Sequence, residues 1–232
     1  MTNFNLIPDR RKISNFSKWT FYPKDVLPMW VADMDFPAPK PILDSLDKLL
    51  KHGVLGYELP GKVLHETVAK RMNDLYGWKV SPDSVITIPG VVSGLNITAS
   101  IFCTDKKGVA VQTPVYNEFH EVKNNNHIPQ VDIPLRKKVK GNIISYEIDW
   151  IAFEKQIKKT KVFLLCNPHN PLGIIFNRRE LTRMAEICIK HKVIIVSDEI
   201  HAELLLDKNK FTPMAKISKE IEKNTITLIA PS

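Results

Sequence analysis

The chain has 232 residues, with 33 Lys plus Arg against 25 Asp plus Glu and 44% apolar residues. This composition excludes a disordered tail, a collagen-like repeat and a disulfide-rich miniprotein. The length is enough to bury a real core, as one large domain or two small ones. No stretch reaches the roughly 18 apolar residues of a membrane helix, so no membrane partner is expected. The first residues, Met-Thr-Asn-Phe-Asn, lack a basic-then-apolar signal pattern, and a cytoplasmic protein is the expectation. The formal charge of +8 raises the question of nucleic acid. Its densest region, 136–161, holds eight basic and three acidic residues, but no aromatic is interleaved within its basic runs 136–140 and 155–161 for base stacking. It reads as a solvated lysine-rich face, with 136–140 as a loop between strands, and no nucleic-acid partner is expected. Cys103, Cys166 and Cys188 form no Cys-x-x-Cys pair, so neither a zinc site nor a disulfide framework is predicted.

Residues 1–38 read as an irregular arm punctuated by Pro8, Pro23, Pro28 and Pro37, with Pro39 directly after it. Ile42, Leu43, Leu46, Leu49 and Leu50 then recur at helical spacing, closed by Gly53. A second helix fits 62–76 and stops at Gly77. From residue 84 the pattern alternates. A short strand is predicted at 85–88, then a helix from Gly90 to about Phe102, a strand at 108–112 and a helix at 117–124. A strand at 130–135 follows, and Asp149 is placed to cap a helix. Residues 161–166 form a continuous apolar strand. Asn177 and Glu180 have the spacing of a capping box at the head of the next helix. Strands at 193–196 and 226–229 complete the series. Apolar strands separated by helices point to an α/β fold, with a mostly parallel sheet covered on both faces. The expected organisation is an arm and first helix over 1–50, as part of a small domain, and a large domain over 51–232. There is no Gly-x-Gly-x-x-Gly, Walker loop or His-Glu-x-x-His.

Ligands of a parallel α/β sheet sit beyond the carboxyl ends of its strands. Three polar segments are predicted at such ends: 166–173 (CNPHNPLG), 197–201 (SDEIH) and 88–93 (IPGVVS). The last opens a helix, whose free N–H groups suit a phosphate.

These segments resemble the pyridoxal-phosphate (PLP) site of the aspartate-aminotransferase superfamily, fold type I. The nearer resemblance is to its MalY/PatB-like branch, the cystathionine β-lyase type C–S lyases. Segments 30–36 (WVADMDF), 53–57 (GVLGY) and 112–116 (QTPVY), with 166–173 and 197–201, make five motifs in order, so the resemblance covers essentially the whole chain. It implies a PLP-dependent transferase-like large domain, preceded by the arm, with a C–S β-lyase activity. The substrate would be an L-amino acid carrying a β-thioether, such as cystathionine, and the products pyruvate, ammonia and a thiol.

The resemblance assigns Asp198 to the pyridine nitrogen of the cofactor and makes it the catalytic carboxylate of this chain. Asn170 would donate to the phenolic oxygen, and His201 stands where many relatives carry a tyrosine bonding the same atom. Tyr116 would stack on the ring, and Val91 and Val92 would hold the phosphate through backbone N–H groups. Tyr57 would reach the phosphate of a neighbouring subunit, which implies a homodimer. Ala32 and Asp33 would lie near the substrate. Each residue also has a plain structural reading: Asp198 as a cap, Asn170 and Asp33 as turn residues, and His201 as a structural histidine. Tyr116 and the two valines would then be core, and Tyr57 a loop aromatic. The family's Schiff-base lysine is expected directly after Ser232, followed by a small C-terminal domain, so the 232-residue chain alone is expected to be inactive. Three further readings stay open: an aminotransferase on the same cofactor site, a PLP-binding regulatory protein, and an inactive truncated fragment.

Overall fold

The computed structural model describes residues 5, 7–11, 15–57, 59, 61–206 and 210–231. Ser232, after which the lysine is expected, lies outside the described residues. The chain divides into two compact units, residues 1–59 and 60–232.

The first unit holds the short helix α1 (Ser17–Thr20) and helix α2 (Lys40–His52). Its best-tied point is Asp35, which accepts from Lys18 Nζ and Trp19 Nε1 at 2.7 Å each and from Arg10 at 3.0 Å. Helix α2 stops at Gly53, whose φ of 73° is left-handed and whose N–H returns to Leu49. Its apolar stripe, Ile42, Leu43, Leu46, Leu49 and Leu50, is exposed.

The second unit opens with α3 (Lys62–Tyr76) and α4 (Val91–Phe102). Then come β1 (Val109–Thr113), α5 (Glu118–Asn126), β2 (Gln130–Pro134), the hairpin strands β3 (Arg136–Lys140) and β4 (Ile143–Glu147), and α6 (Trp150–Ile157). β5 (Val162–Cys166), α7 (Arg178–Lys190), β6 (Ile194–Asp198), α8 (Lys219–Lys223) and β7 (Thr225–Leu228) follow. Five strands form one sheet in the order β2-β1-β5-β6-β7, every pair parallel.

Strand alternation divides the core into two layers. Val109, Val111, Val162, Leu164, Cys166 and Val196 pack with Leu95 and Ala99 of α4 and Phe119 of α5. Ala110, Phe163, Leu165 and Ile195 pack on the other face with Phe153 of α6 and Leu181 and Met184 of α7. The predicted caps are present. Asp149 Oδ1 accepts from the N–H groups of Ile151 and Ala152, and Asn177 with Glu180 forms a complete capping box. Gly108 has no room for a side chain, since a Cβ there would stand 1.8 Å from the Pro129 carbonyl oxygen.

Two sequence expectations are corrected. Residues 85–88 are not a strand. Val85 is extended, with φ −88° and ψ 123°, but the segment has no ladder partner among the described residues. β-propensity describes one chain, whereas a strand is defined by its neighbour. Residues 136–140 are not a loop but β3, paired antiparallel with β4 through a turn at Gly141, φ 59°. Lysine density masked the hairpin. Val139 opposite Ile144 and the Lys138–Glu147 ion pair at 2.6 Å are cross-strand pairs of the kind that stabilise one.

Candidate active site

The strand order decides where a ligand can enter. From β1 the chain steps outward to β2, then returns to the other side of β1 to form β5. The carboxyl ends of β1 and β5 are therefore the topological switch point, where open parallel α/β sheets place their ligands.

The loops leaving β1 and β5 are tied to each other. Tyr116 N–H donates to the Asn170 carbonyl at 3.0 Å. Asn170 N–H is held from below by Cys166 Sγ at 3.3 Å, and burial pushes that thiol up to about 12, so it stays protonated. Both loops carry cis prolyl bonds, Thr113–Pro114, Asn167–Pro168 and Asn170–Pro171. The β5 loop is joined to β6 as well: Asn167 N–H donates to the Asp198 carbonyl at 3.0 Å, and Asn167 Oδ1 accepts from Phe176 N–H at 3.1 Å.

Asp198 ends β6, opposite Cys166 on one side and Leu228 on the other. It is 6% exposed, and its Oδ1 accepts from Ile200 N–H at 3.1 Å. Burial pushes the carboxyl up, while the Ile200 N–H and the neighbouring His201 pull it back. A buried carboxylate whose pKa is raised by desolvation gains most from a cationic or N–H partner, so it is a strong candidate for holding a ligand.

Alternation puts Asp198 on the face that carries α4. Gly94 of α4 lies against Leu228: a Cβ there would stand 2.7 Å from Leu228 Cδ2 and from Ile88 Cδ1. Since Leu228 pairs with Asp198, this contact brings the head of α4 to the same edge. The helix begins after Gly90 at φ 108°, a conformation that favours glycine. Val91, Val92 and Ser93 are its first three residues, so their N–H groups have no acceptor within the helix. No side chain among the described residues caps it and its first turn holds no acidic residue, which leaves the positive dipole end open to an anion.

The predicted residues of the second unit, Val91, Val92, Tyr116, Asn170, Asp198 and His201, thus all stand at this edge. Val91 is buried and Val92 half-buried, so their side chains are core while their N–H groups face the helix end. Asn170 and His201 are half-buried. The Tyr116 ring is 43% exposed. Its phenol is raised by burial, then by Glu118 and Asp198. Ala32, Asp33 and Tyr57 belong to the first unit. There Asp33 accepts from Arg10 at 2.6 Å, and Ala32 and Tyr57 are exposed.

Sequence reasoning missed two buried polar groups at this edge. Glu199 is 3% exposed and pushed up to about 8 by burial, against the pull of Met214 N–H and the Ser197 hydroxyl. His169 is held down to about 4 by burial, so it is neutral. A period-two reading carried one residue past the strand end would have placed Glu199 on the inner layer with Ile195.

An aromatic ring with a basic ring nitrogen and a phosphate suits this donor set: a buried carboxylate, a half-buried amide, an exposed tyrosine ring and an open helix N-terminus on one edge.

The comparisons agree with this chemistry. Residues 32–232 match the family model "Aminotransferase class I and II". The chain is 41% identical to cystathionine β-lyase PatB of Bacillus subtilis over 212 residues, covering 90% of this chain and 53% of that protein. The structure superposes on cystalysin of Treponema denticola, a PLP-containing protein, with a TM-score of 0.90 and 31% identity over all of this chain and 60% of that one. It superposes on the PLP-bound C–S lyase of Staphylococcus hominis with a TM-score of 0.88 and 30% identity, over 99% of this chain and 59% of that one. The chain spans about half the length of the curated relatives it matches. Its parallel sheet with helices on both faces is the large-domain architecture of the PLP-dependent transferase fold. By the family match over most of its length, the chain belongs to the aminotransferase class I and II family.

Proposed function

We propose that the protein is a PLP-dependent carbon–sulfur β-lyase of the cystathionine β-lyase type. It acts on L-amino acids with a β-thioether and breaks the Cβ–S bond to yield a thiol, pyruvate and ammonia. The observation that carries this reading is the buried Asp198 carboxylate beside the open N-terminus of α4. The 41% identity to a cystathionine β-lyase supports the choice of reaction.

PLP, when bound, supplies a protonated pyridine ring that withdraws electrons from the substrate α-carbon. The chain's own residues keep it in that state. Asp198 holds the proton on the ring nitrogen, because a buried carboxylate is stabilised most by a cationic N–H donor. Asn170 donates its side-chain amide to the phenolic oxygen, and His201 serves the same atom. Tyr116 covers the ring face. The N–H groups of Val91 and Val92 hold the phosphate at the helix end. Cys166, locked as a thiol, supports Asn170 rather than reacting.

The reading extends to a cytoplasmic homodimer in which Tyr57 reaches the partner subunit's phosphate, with Ala32 and Asp33 near the substrate. The test is pyruvate release from L-cystathionine by the protein expressed from its natural gene, with PLP present. Continuous pyruvate formation without a keto acid supports the lyase. Turnover that depends on a keto acid and releases no pyruvate would make it an aminotransferase instead.

A further inference from the structure

The carboxylate next to Asp198 has no part in the reading above, yet it is among the most buried acids of the chain. Glu199 Oε1 accepts from the Ser197 hydroxyl at 2.8 Å and from Met214 N–H at 2.9 Å. Its own N–H donates to the Leu228 carbonyl at 2.9 Å. Glu199 therefore joins the end of β6 to the end of β7 and to the 3₁₀ turn Met214–Lys216. Ser197 and Glu199 flank Asp198 and bond to each other on the face opposite to it. The chain between Glu199 and Met214 carries His201. This stretch is also fastened from α3: Arg71 Nε donates to Glu203 at 2.9 Å, and Tyr76 meets Phe211 edge-on at 5.6 Å.

Resting on the reading of this edge as a PLP site, we propose that Glu199 is a positioning residue. Its Oε1 staples the end of β6 to Met214, which fixes both the direction in which Asp198 is presented and the turn that carries His201. The work is done by an acceptor, not by a charge. Burial, with Asp198 adjacent, favours the protonated acid at Glu199. A glutamine supplies the same carbonyl acceptor without a charge. An alanine leaves Met214 N–H and the Ser197 hydroxyl without their acceptor in a buried place.

The test measures binding of 4-deoxypyridoxine 5′-phosphate, which has no aldehyde to react with surface lysines. It uses the parent protein and Glu199→Gln, Glu199→Ala, Ser197→Ala, Asp198→Ala and Ile157→Val. Ile157 is buried at the end of α6, at the amino edge of the sheet, and controls for general loss of stability. Glu199→Ala should weaken binding about tenfold and speed hydrogen exchange at the Met214 amide, with Ser197→Ala about threefold weaker. Glu199→Gln should bind like the parent and keep the Met214 amide protected, and Ile157→Val should leave binding unchanged. If Glu199→Ala does not fold, weakened binding in Ser197→Ala with normal binding in Glu199→Gln supports the proposal equally.

The proposal is overturned if the alanine variants bind like the parent, if Glu199→Gln is as weak as Glu199→Ala, or if Ile157→Val weakens binding as much. Asp198→Ala separates the two readings. Parent-like binding there rejects the PLP site itself, whereas weak binding there with parent-like Glu199 and Ser197 variants rejects only the role of Glu199.

Discussion

Tyr116 and Asn170 are joined through their backbones, Tyr116 N–H donating to the Asn170 carbonyl at 3.0 Å across the mouth of the switch point. The bond uses neither side chain, so it fixes the distance between the two loops while leaving the ring and the amide free to meet a ligand. Asn170→Ala should therefore separate structure from binding. Stability should change by about 0.5 kcal/mol or less, as for a half-exposed side chain outside the core. Affinity for 4-deoxypyridoxine 5′-phosphate should fall about tenfold, as a lost hydrogen bond in a partly buried site implies. Urea unfolding and fluorescence titration read the two quantities, and a large stability loss with unchanged affinity would reverse the assignment.

Gly108 sets the spacing at the start of β1. A Cβ at this position meets backbone, the Pro129 carbonyl oxygen at 1.8 Å, and cannot be relieved by a side-chain rotation. The same residue's carbonyl accepts from Lys161 N–H at 2.9 Å, so a shift would spread to β5. Gly108→Ala should cost about 3 kcal/mol or more, at the upper end of overpacking penalties. A loss below about 1 kcal/mol in chemical denaturation would contradict so close an approach of the two backbone segments.

His169 makes stability depend on pH below neutrality. Burial depresses its folded pKa to about 4 from an ordinary 6.5, so between those values the unfolded chain binds a proton that the folded one refuses. Stability then falls as pH drops from 6.5 towards 4, by on the order of 3 kcal/mol from this residue. Replacing it by glutamine should flatten that part of the curve relative to the parent. Parallel curves for parent and His169→Gln would show that the imidazole titrates normally.

Asp35 behaves in the opposite sense. Desolvation raises its pKa, but Lys18, Trp19 and Arg10 together outweigh it and hold the carboxyl below its ordinary 3.8. Its contribution is present above that value and is lost as pH falls through the lower, folded pKa. The indole N–H resonance of Trp19, bonded to Asp35 Oδ1 at 2.7 Å, should report this titration below pH 3.8. A midpoint above the ordinary value would refute the three-donor cluster.

The sequence by itself determined β1, α5, β2, α6, β5, α7, β6 and β7, the caps at Asp149, Asn177 and Gly53, and the polar segments that follow β5 and β6. These are local properties. A cap needs one side chain at a fixed offset from a free N–H, and a strand buried on both faces needs an unbroken apolar run. Tertiary structure alone decided the rest. The order β2-β1-β5-β6-β7, and with it the place of the switch point, depends on which strands pair across long stretches of chain, and no periodicity encodes that. The same reason separates 85–88, extended but without a ladder among the described residues, from Arg136–Lys140, whose lysines concealed the partner strand just beyond Gly141. It also explains Glu199: period two gives the face it lies on, but the Met214 N–H that it accepts from is brought there only by the fold.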